Sequence, residues 1–139
     1  MTDVTATVTD SDGASDTDNQ VVVVIVSNVA PTVTLAAGNV LSVNEGTQHT
    51  YSFTTSDPGA DTFVLDATDC GANGTQVGLD TFNPTTGAGS FDCTFPDGLA
   101  TSTVSVTVSD SDGASDSDTQ TVTVSNVAPT VALDRKSVV

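Results

Sequence analysis

The sequence predicts an all-β protein built as an immunoglobulin-like β-sandwich, and three observations point there. Thr, Ser, Val, Asp and Gly dominate its 139 residues while runs of Ala, Leu, Glu and Lys are missing, a balance that favours strands and turns over helices. Apolar residues recur at every second position in segment after segment, the period of a half-buried strand. One stretch also occurs twice. Val104–Gln120 (Val-Ser-Val-Thr-Val-Ser-Asp-Ser-Asp-Gly-Ala-Ser-Asp-Ser-Asp-Thr-Gln) repeats Val4–Gln20, with Asp10 and Asp110 a spacing of 100 apart, and a period near 100 is the length of one such sandwich.

Val4, Ala6 and Val8 alternate with Thr5, Thr7 and Thr9, and after an Asp-rich loop Val21–Val26 forms a return strand, so residues 1–27 read as a hairpin. Two strands alone are marginal in water, so this hairpin is expected to be the end of a truncated preceding module. Asn28-Val29-Ala30-Pro31 recurs as Asn126-Val127-Ala128-Pro129. Proline fixes its own φ and holds the residue before it extended, which makes residues 28–31 a short, stiff linker. This connector repeats at a spacing of 98 (Asn28 to Asn126) against 100 for the Asp loops, so the first return strand is two residues longer.

The complete unit spans residues 31–126 and divides into seven strands. Thr32–Ala36 is continued along the same edge by Asn39–Val43. Gln48–Thr54 puts Tyr51 and Phe53 on one face, and Thr62–Ala67 turns Phe63 and Leu65 inward. Val77–Phe82 follows, then Ser90–Phe95 with Phe91, Cys93 and Phe95 inward. Thr101–Ser109 and Thr119–Ser125 close the unit as a hairpin, with Val104, Val106 and Val108 facing Val122 and Val124. Turn-forming clusters at Ser56–Asp61, Gly71–Gly74, Asn83–Gly89 and Pro96–Gly98 separate these runs. Residues 127–133 repeat the linker and the first strand of a next module. Residues 134–139, Asp-Arg-Lys-Ser-Val-Val, break the composition abruptly, match one translated frame of a common sequencing adapter and read as a non-native tail.

Charge narrows the function. Eighteen acidic residues against two basic ones give a formal net charge of -16, and both basic residues, Arg135 and Lys136, lie in that tail. A surface of this sign lacks the cationic side chains that bind phosphate backbones, so nucleic acid is excluded as a partner, as are anionic lipid surfaces. No run is long and apolar enough to insert in a bilayer, and Met1-Thr2-Asp3-Val4 is no signal peptide, so an exported protein would not begin here. The positive expectation is attraction to hard divalent cations such as calcium, which take carboxylate and carbonyl oxygens; keeping a Val-rich β protein soluble is the competing explanation.

The closing hairpin, the connector and the Pro-Thr-Val that follows together resemble the end of a PKD (polycystic kidney disease type) repeat running into the next one. The resemblance extends over residues 31–126 and accounts for both partial units. In the middle, the family's usual Trp-Asp-Phe-Gly-Asp-Gly type motif is replaced by Leu65-Asp66-Ala67-Thr68-Asp69-Cys70-Gly71. It implies a non-catalytic spacer or adhesion module of an extracellular, cell-surface or secreted protein, with calcium binding in some members. Its partners would be neighbouring repeat modules of the same chain. A second reading of the chain is an accessory module that holds a glycan or protein ligand for a secreted hydrolase.

Asp110-Ser111-Asp112-Gly113 places carboxylates two apart beside a glycine but lacks the later ligands of an EF-hand, and Asp116 and Asp118 complete a shell only if the loop folds back. Taken alone, the same segment reads better as a tight turn with solvated aspartates. A sandwich of this topology gathers the first-strand approach and two loops at one end, so Asn28, Asp57, Asp61, Asp110 and Asp112 are expected to converge there as ligands of a junction calcium. Cys70 and Cys93 read as a disulfide in an extracellular setting, with two buried thiols or a partial metal site as alternatives. A distant His49 does not turn them into a zinc motif. No spacing supports a nucleophile, and Asp66, Asp69 and Asp80 suggest no glycosidase pair. Asn73-Gly74-Thr75 fits a glycosylation acceptor but reads as a turn.

Overall fold

The structure is a computed structural model that describes residues 2–133. Its described residues form ten strands and no helix: β1 (Thr2–Thr9), β2 (Ser15–Val22), β3 (Thr32–Leu35), β4 (Ser42–Asn44), β5 (Gln48–Ser56), β6 (Phe63–Asp69), β7 (Thr75–Phe82), β8 (Ala88–Thr94), β9 (Ala100–Asp110) and β10 (Ser115–Ser125). β1 and β2 pair with each other. The other eight strands build two four-stranded sheets, ordered β3-β5-β8-β7 and β4-β10-β9-β6. Side chains from both sheets merge in one apolar core, which is the sandwich that the alternation predicts.

The two sheets contribute different chemistry to that core. β5 and β8 supply Tyr51, Phe53 and Phe91, with Phe95 just beyond β8, whereas β9 and β10 supply Val104, Val106, Val108, Val122 and Val124. Tyr51 lies 5.8 Å from Phe91 and meets Phe95 edge-on at 6.3 Å and 89°, while Phe53 stacks on half-buried Phe82 at 5.9 Å. In a chain without tryptophan this cluster fills the centre. The Tyr51 hydroxyl donates to the carbonyl of Val40 at 3.2 Å, and burial pushes its pKa up to about 12.

Cys70, at the end of β6, and Cys93, on β8, form a disulfide with Cα atoms 5.7 Å apart, so a covalent bond pins one sheet to the other through the core. The free-thiol and partial-metal alternatives are thereby removed.

Three expectations need correction. Thr32–Ala36 and Asn39–Val43 are not one edge strand, because β3 pairs antiparallel with β5 while β4 pairs parallel with β10 in the opposite sheet. The chain changes sheets between them through a turn closed by Asn39 N–H to the Ala36 carbonyl (3.1 Å), and the Asn39 side chain bonds both Ser52 N–H and Ser52 carbonyl. The unit therefore has eight strands rather than seven. The first return strand is Ser15–Val22 and not Val21–Val26, since the turn sets a register in which Val22 already faces Thr2. The last strand begins at Ser115 rather than Thr119, leaving a turn of only Ser111–Ala114 closed by Asp110 N–H to the Ala114 carbonyl at 2.9 Å, with Gly113 at φ 90°. The tail 134–139, with Arg135 and Lys136, lies outside the described residues.

The disulfide closes a short loop, a sequence separation of 23, so replacing both cysteines by alanine is expected to lower the unfolding free energy by about 3 kcal/mol. Urea denaturation of the two proteins, compared at equal m-value, measures it.

Candidate functional site

The repeated hairpin carries more than turn chemistry, because its aspartates beyond the turn belong to a strand. Asp116, Asp118 and Gln120 occupy alternate positions of β10 and point at β3, the outer strand of the other sheet. Val33 N–H donates to Asp116 Oδ2 at 2.9 Å and Leu35 N–H to Asp118 Oδ2 at 2.8 Å. Gln120 Nε2 donates to the carbonyls of Leu35 (3.4 Å) and Ala36 (3.2 Å), and its Oε1 accepts from Asn39 Nδ2 at 3.1 Å. Outward N–H groups of an edge strand are otherwise open to pairing with foreign chains, and here carboxylates fill them. Asp116 and Asp118 thus do not fold back toward Asp110 and Asp112. Asp118→Ala strips the Leu35 N–H of a charged acceptor and is expected to cost on the order of 2 kcal/mol in chemical denaturation, with Asp118→Asn losing less.

All five residues expected at the junction come to one pole. Asn28, Asp57, Asp61 and Asp112 line a single cleft of about 510 Å³, and Asp110 joins it through Asn28. Asp110 is only 3% exposed. Its Oδ1 accepts the N–H groups of Asp112 and Ala114, each at 2.9 Å, and its Oδ2 accepts from Asn28 Nδ2 at 2.8 Å. The Asn28 amide is the main cause that holds this carboxyl below the usual carboxylate range; desolvation opposes it, and the turn N–H groups reinforce it. Asp57 Oδ1 accepts from Gly59 N–H (2.6 Å), leaving Oδ2 buried without a donor, and Asp61 Oδ1 accepts from the Ser111 hydroxyl (2.8 Å). Among the described residues no group of three or more Asp, Glu, His or Cys side chains is spaced to hold a metal ion. As placed, Asp110 and Asp61 answer to hydrogen-bond donors of the chain itself, while Asp57 keeps one buried oxygen without a donor.

The opposite pole holds a residue that the sequence did not single out. Glu45, the one glutamate, accepts Gly98 N–H at 2.5 Å and Val127 N–H at 2.8 Å, so both oxygens are engaged. Gly98 lies just before the eleven-residue β9 and Asp110 is its last residue, so the strand separates this clamp from the Asn28 pole. The available signal was a longer carboxylate in an otherwise all-Asp chain, placed in the Asn44-Glu45-Gly46 turn. A β-carbon at Gly98 would come within 2.4 Å of the Asn126 Cα, so glycine is required for that approach.

The remaining candidates serve local structure. Asp66 accepts from the Ser109 hydroxyl, Asp69 from Gly71 N–H and Asp80 from the Thr68 hydroxyl. His49 is half-buried and shares a hydrogen with Thr47 Oγ1 at 2.8 Å. Asn73 sits in a turn and donates to the Asp97 carbonyl.

Two facing sheets, with the first strand divided between them, make an immunoglobulin-like sandwich. Among solved structures the chain is similar to the PKD domain of an M14-like peptidase from a Thermoplasmatales archaeon, with a TM-score of 0.53 and 22% identity over 71% of this chain and 99% of that one. At that identity the likeness speaks for the fold, as the sequence predicted. No family model matches the chain, and no curated protein matches it.

Removing the Asn28 amide removes the main cause of the Asp110 shift. Asn28→Ala is expected to raise the Asp110 pKa toward its ordinary value, read by a carboxyl-carbon NMR titration. A carboxyl with a lowered folded pKa contributes stability that is present above its unfolded value of about 3.9 and lost as pH falls through the lowered one. The wild-type chain should therefore lose stability more steeply than Asn28→Ala below about pH 4.

Proposed function

We propose that residues 31–126 form a non-catalytic spacer module of an extracellular or cell-surface protein, one of a tandem series that positions other domains. On this reading residues 1–27 and 127–133 belong to neighbouring modules and 28–31 is the linker. The observation that carries it is the treatment of the connector. Asn28 bonds forward to Asp110 of the sandwich that follows it, and Val127 bonds back to Glu45 of the sandwich that precedes it. Because both connectors read Asn-Val-Ala-Pro, a connector between two such modules would carry both bonds and hold them at one angle. The disulfide suits an oxidising compartment. An accessory role in holding glycan or protein for a secreted hydrolase is the second reading, and the inward aromatics speak against it: none is exposed among the described residues to stack on a sugar.

Calcium at the junction is part of the proposal. Asn28, Asp57, Asp61 and Asp112 would supply oxygens, with Asp57 Oδ2 first because it is buried and unpaired, and Asp110 would act through Asn28. Calorimetry with calcium is expected to show binding heat and a rise in melting temperature, both lost in Asp57→Asn. No heat and an unchanged melting temperature would remove the ion and leave the spacer. The spacer itself is tested by nitrogen-15 relaxation: Val29, Ala30 and Val127 amides should be as ordered as those of β9, with Asn28→Ala and Glu45→Gln each loosening one connector. Connectors that move freely in the wild-type chain would sink the reading.

A further inference from the structure

Of the five prolines in the chain one follows an aspartate, Pro58 in the loop that leaves β5. The Asp57–Pro58 bond is chemically unlike its neighbours. An aspartate carboxylate can reach its own carbonyl carbon through a five-membered ring, and a proline nitrogen takes up the proton it needs to leave more readily than an ordinary amide nitrogen. The structure prepares this carboxylate for such an attack. Gly59 N–H donates to Asp57 Oδ1 at 2.6 Å, closing a ring of atoms that runs through the Asp57 side chain, the Asp57–Pro58 bond and Pro58. The carboxylate is thereby folded back along that bond. Its second oxygen, Oδ2, is buried and has no donor, so its lone pairs are engaged by nothing in the chain. A buried polar atom left in this condition calls for a reason, and a nucleophilic use is one. A β-carbon at Gly59 would strike the Asp61 carboxylate and come within 3.0 Å of Asp57 Oδ1, so the ring closes because residue 59 is glycine. Pro58 itself is exposed on the wall of the cleft, where water has access.

We propose that the chain cleaves itself between Asp57 and Pro58. Asp57 Oδ2 adds to the Asp57 carbonyl carbon. The C–N bond to Pro58 then breaks, its electron pair goes to the proline nitrogen, and that nitrogen takes a proton from water. Asp57 is left as a five-membered cyclic anhydride, which the hydroxide formed from that water opens. One water is consumed overall, the products are a free carboxyl end at Asp57 and a free amine at Pro58, and nothing is oxidised or reduced. Holding nucleophile and carbonyl in one turn replaces the search that a free chain must make, which is the source of acceleration in intramolecular reactions. An ion on Asp57 would occupy the same lone pairs. The reaction therefore belongs to the metal-free chain, and it stands or falls separately from the calcium reading.

The position of the cut gives it a mechanical consequence. β3, β4 and β5 stay with residues 1–57 and β6 to β10 with residues 58–139, while the Cys70–Cys93 disulfide lies wholly within the second piece. No covalent link then joins the two. They stay paired through β5 with β8 and β4 with β10, around a core to which both contribute. A cleaved sandwich keeps its shape at rest and comes apart under pull, so on the spacer reading the loop is a release point; the cleavage itself does not rest on that reading.

The full chain, kept for days at neutral pH with a chelator and below its melting temperature, is expected to yield fragments 1–57 and 58–139 by mass spectrometry, the second with proline at its N-terminus. The folded chain should cleave faster than the same chain unfolded in urea by roughly tenfold or more. Asp57→Ala and Pro58→Ala should each slow the cut by a similar factor, and the two wild-type fragments should travel together on size exclusion until denaturant is added. A folded chain that stays intact overturns the proposal. Equal rates in the folded and unfolded chain overturn it too, since the bond would then owe nothing to the turn, and so does a cut that persists in Asp57→Ala. Should either variant fail to fold, the comparison of folded with unfolded wild-type chain still decides.

Discussion

The outer edge of β3 is the constraint around which the sandwich is arranged. A short edge strand has two outward N–H groups to satisfy, and its own sheet has no further strand to offer. The partner comes from the other layer. The even-numbered row of β10 reads Asp116, Asp118, Gln120, Val122 and Val124, so one alternating strand is polar where it passes β3 and apolar where it faces the centre. Farther along, the same strand pairs with β4, which takes over as its neighbour once the chain has changed sheets. Backbone pairing, side-chain capping and core burial thus follow one another along eleven residues of a single strand.

The acidity of the protein reads differently once these partners are known. Asp110, Asp116, Asp118, Asp57, Asp69 and Glu45 each accept at least one backbone N–H. Short aspartates serve where the donor is close in sequence or lies on an adjoining strand. The single glutamate serves where the chain must reach across to a connector, from residue 45 to residue 127. A negative surface is therefore partly a by-product of using carboxylates as structural acceptors, a role in which a charged oxygen makes a stronger hydrogen bond than a neutral one.

Much of this was legible in the residues. Period-two rows gave the inward Tyr51, Phe53, Phe91, Cys93, Val104, Val106 and Val108, and the inward placement of Cys93 was consistent with a bond to Cys70. What stayed hidden was non-local. Aspartates alternating with serine and threonine look like a loop until a strand edge lies beside them, so the residues alone suggest a start at Thr119 where β10 starts at Ser115. The sheet change between β3 and β4 depends on Asn39 reaching Ser52, and the Glu45 clamp depends on contacts 53 and 82 positions away. The five junction residues gather at one pole because loop position follows from topology, whereas the donors that occupy the oxygens of Asp110 and Asp61 do not follow from it.

The disulfide has one further consequence for a chain that carries the same hairpin twice. Two interchangeable hairpins on one polypeptide invite misassembly, in which a hairpin completes the wrong neighbour, a characteristic failure of repeat proteins during folding. Cys70 and Cys93 both lie outside the repeated stretch, between β6 and β8, and their partnership is local in sequence. Oxidation therefore cannot trap a wrongly completed unit. The covalent step commits only strands that have no duplicate, and the duplicated ones are left free to dissociate and try again.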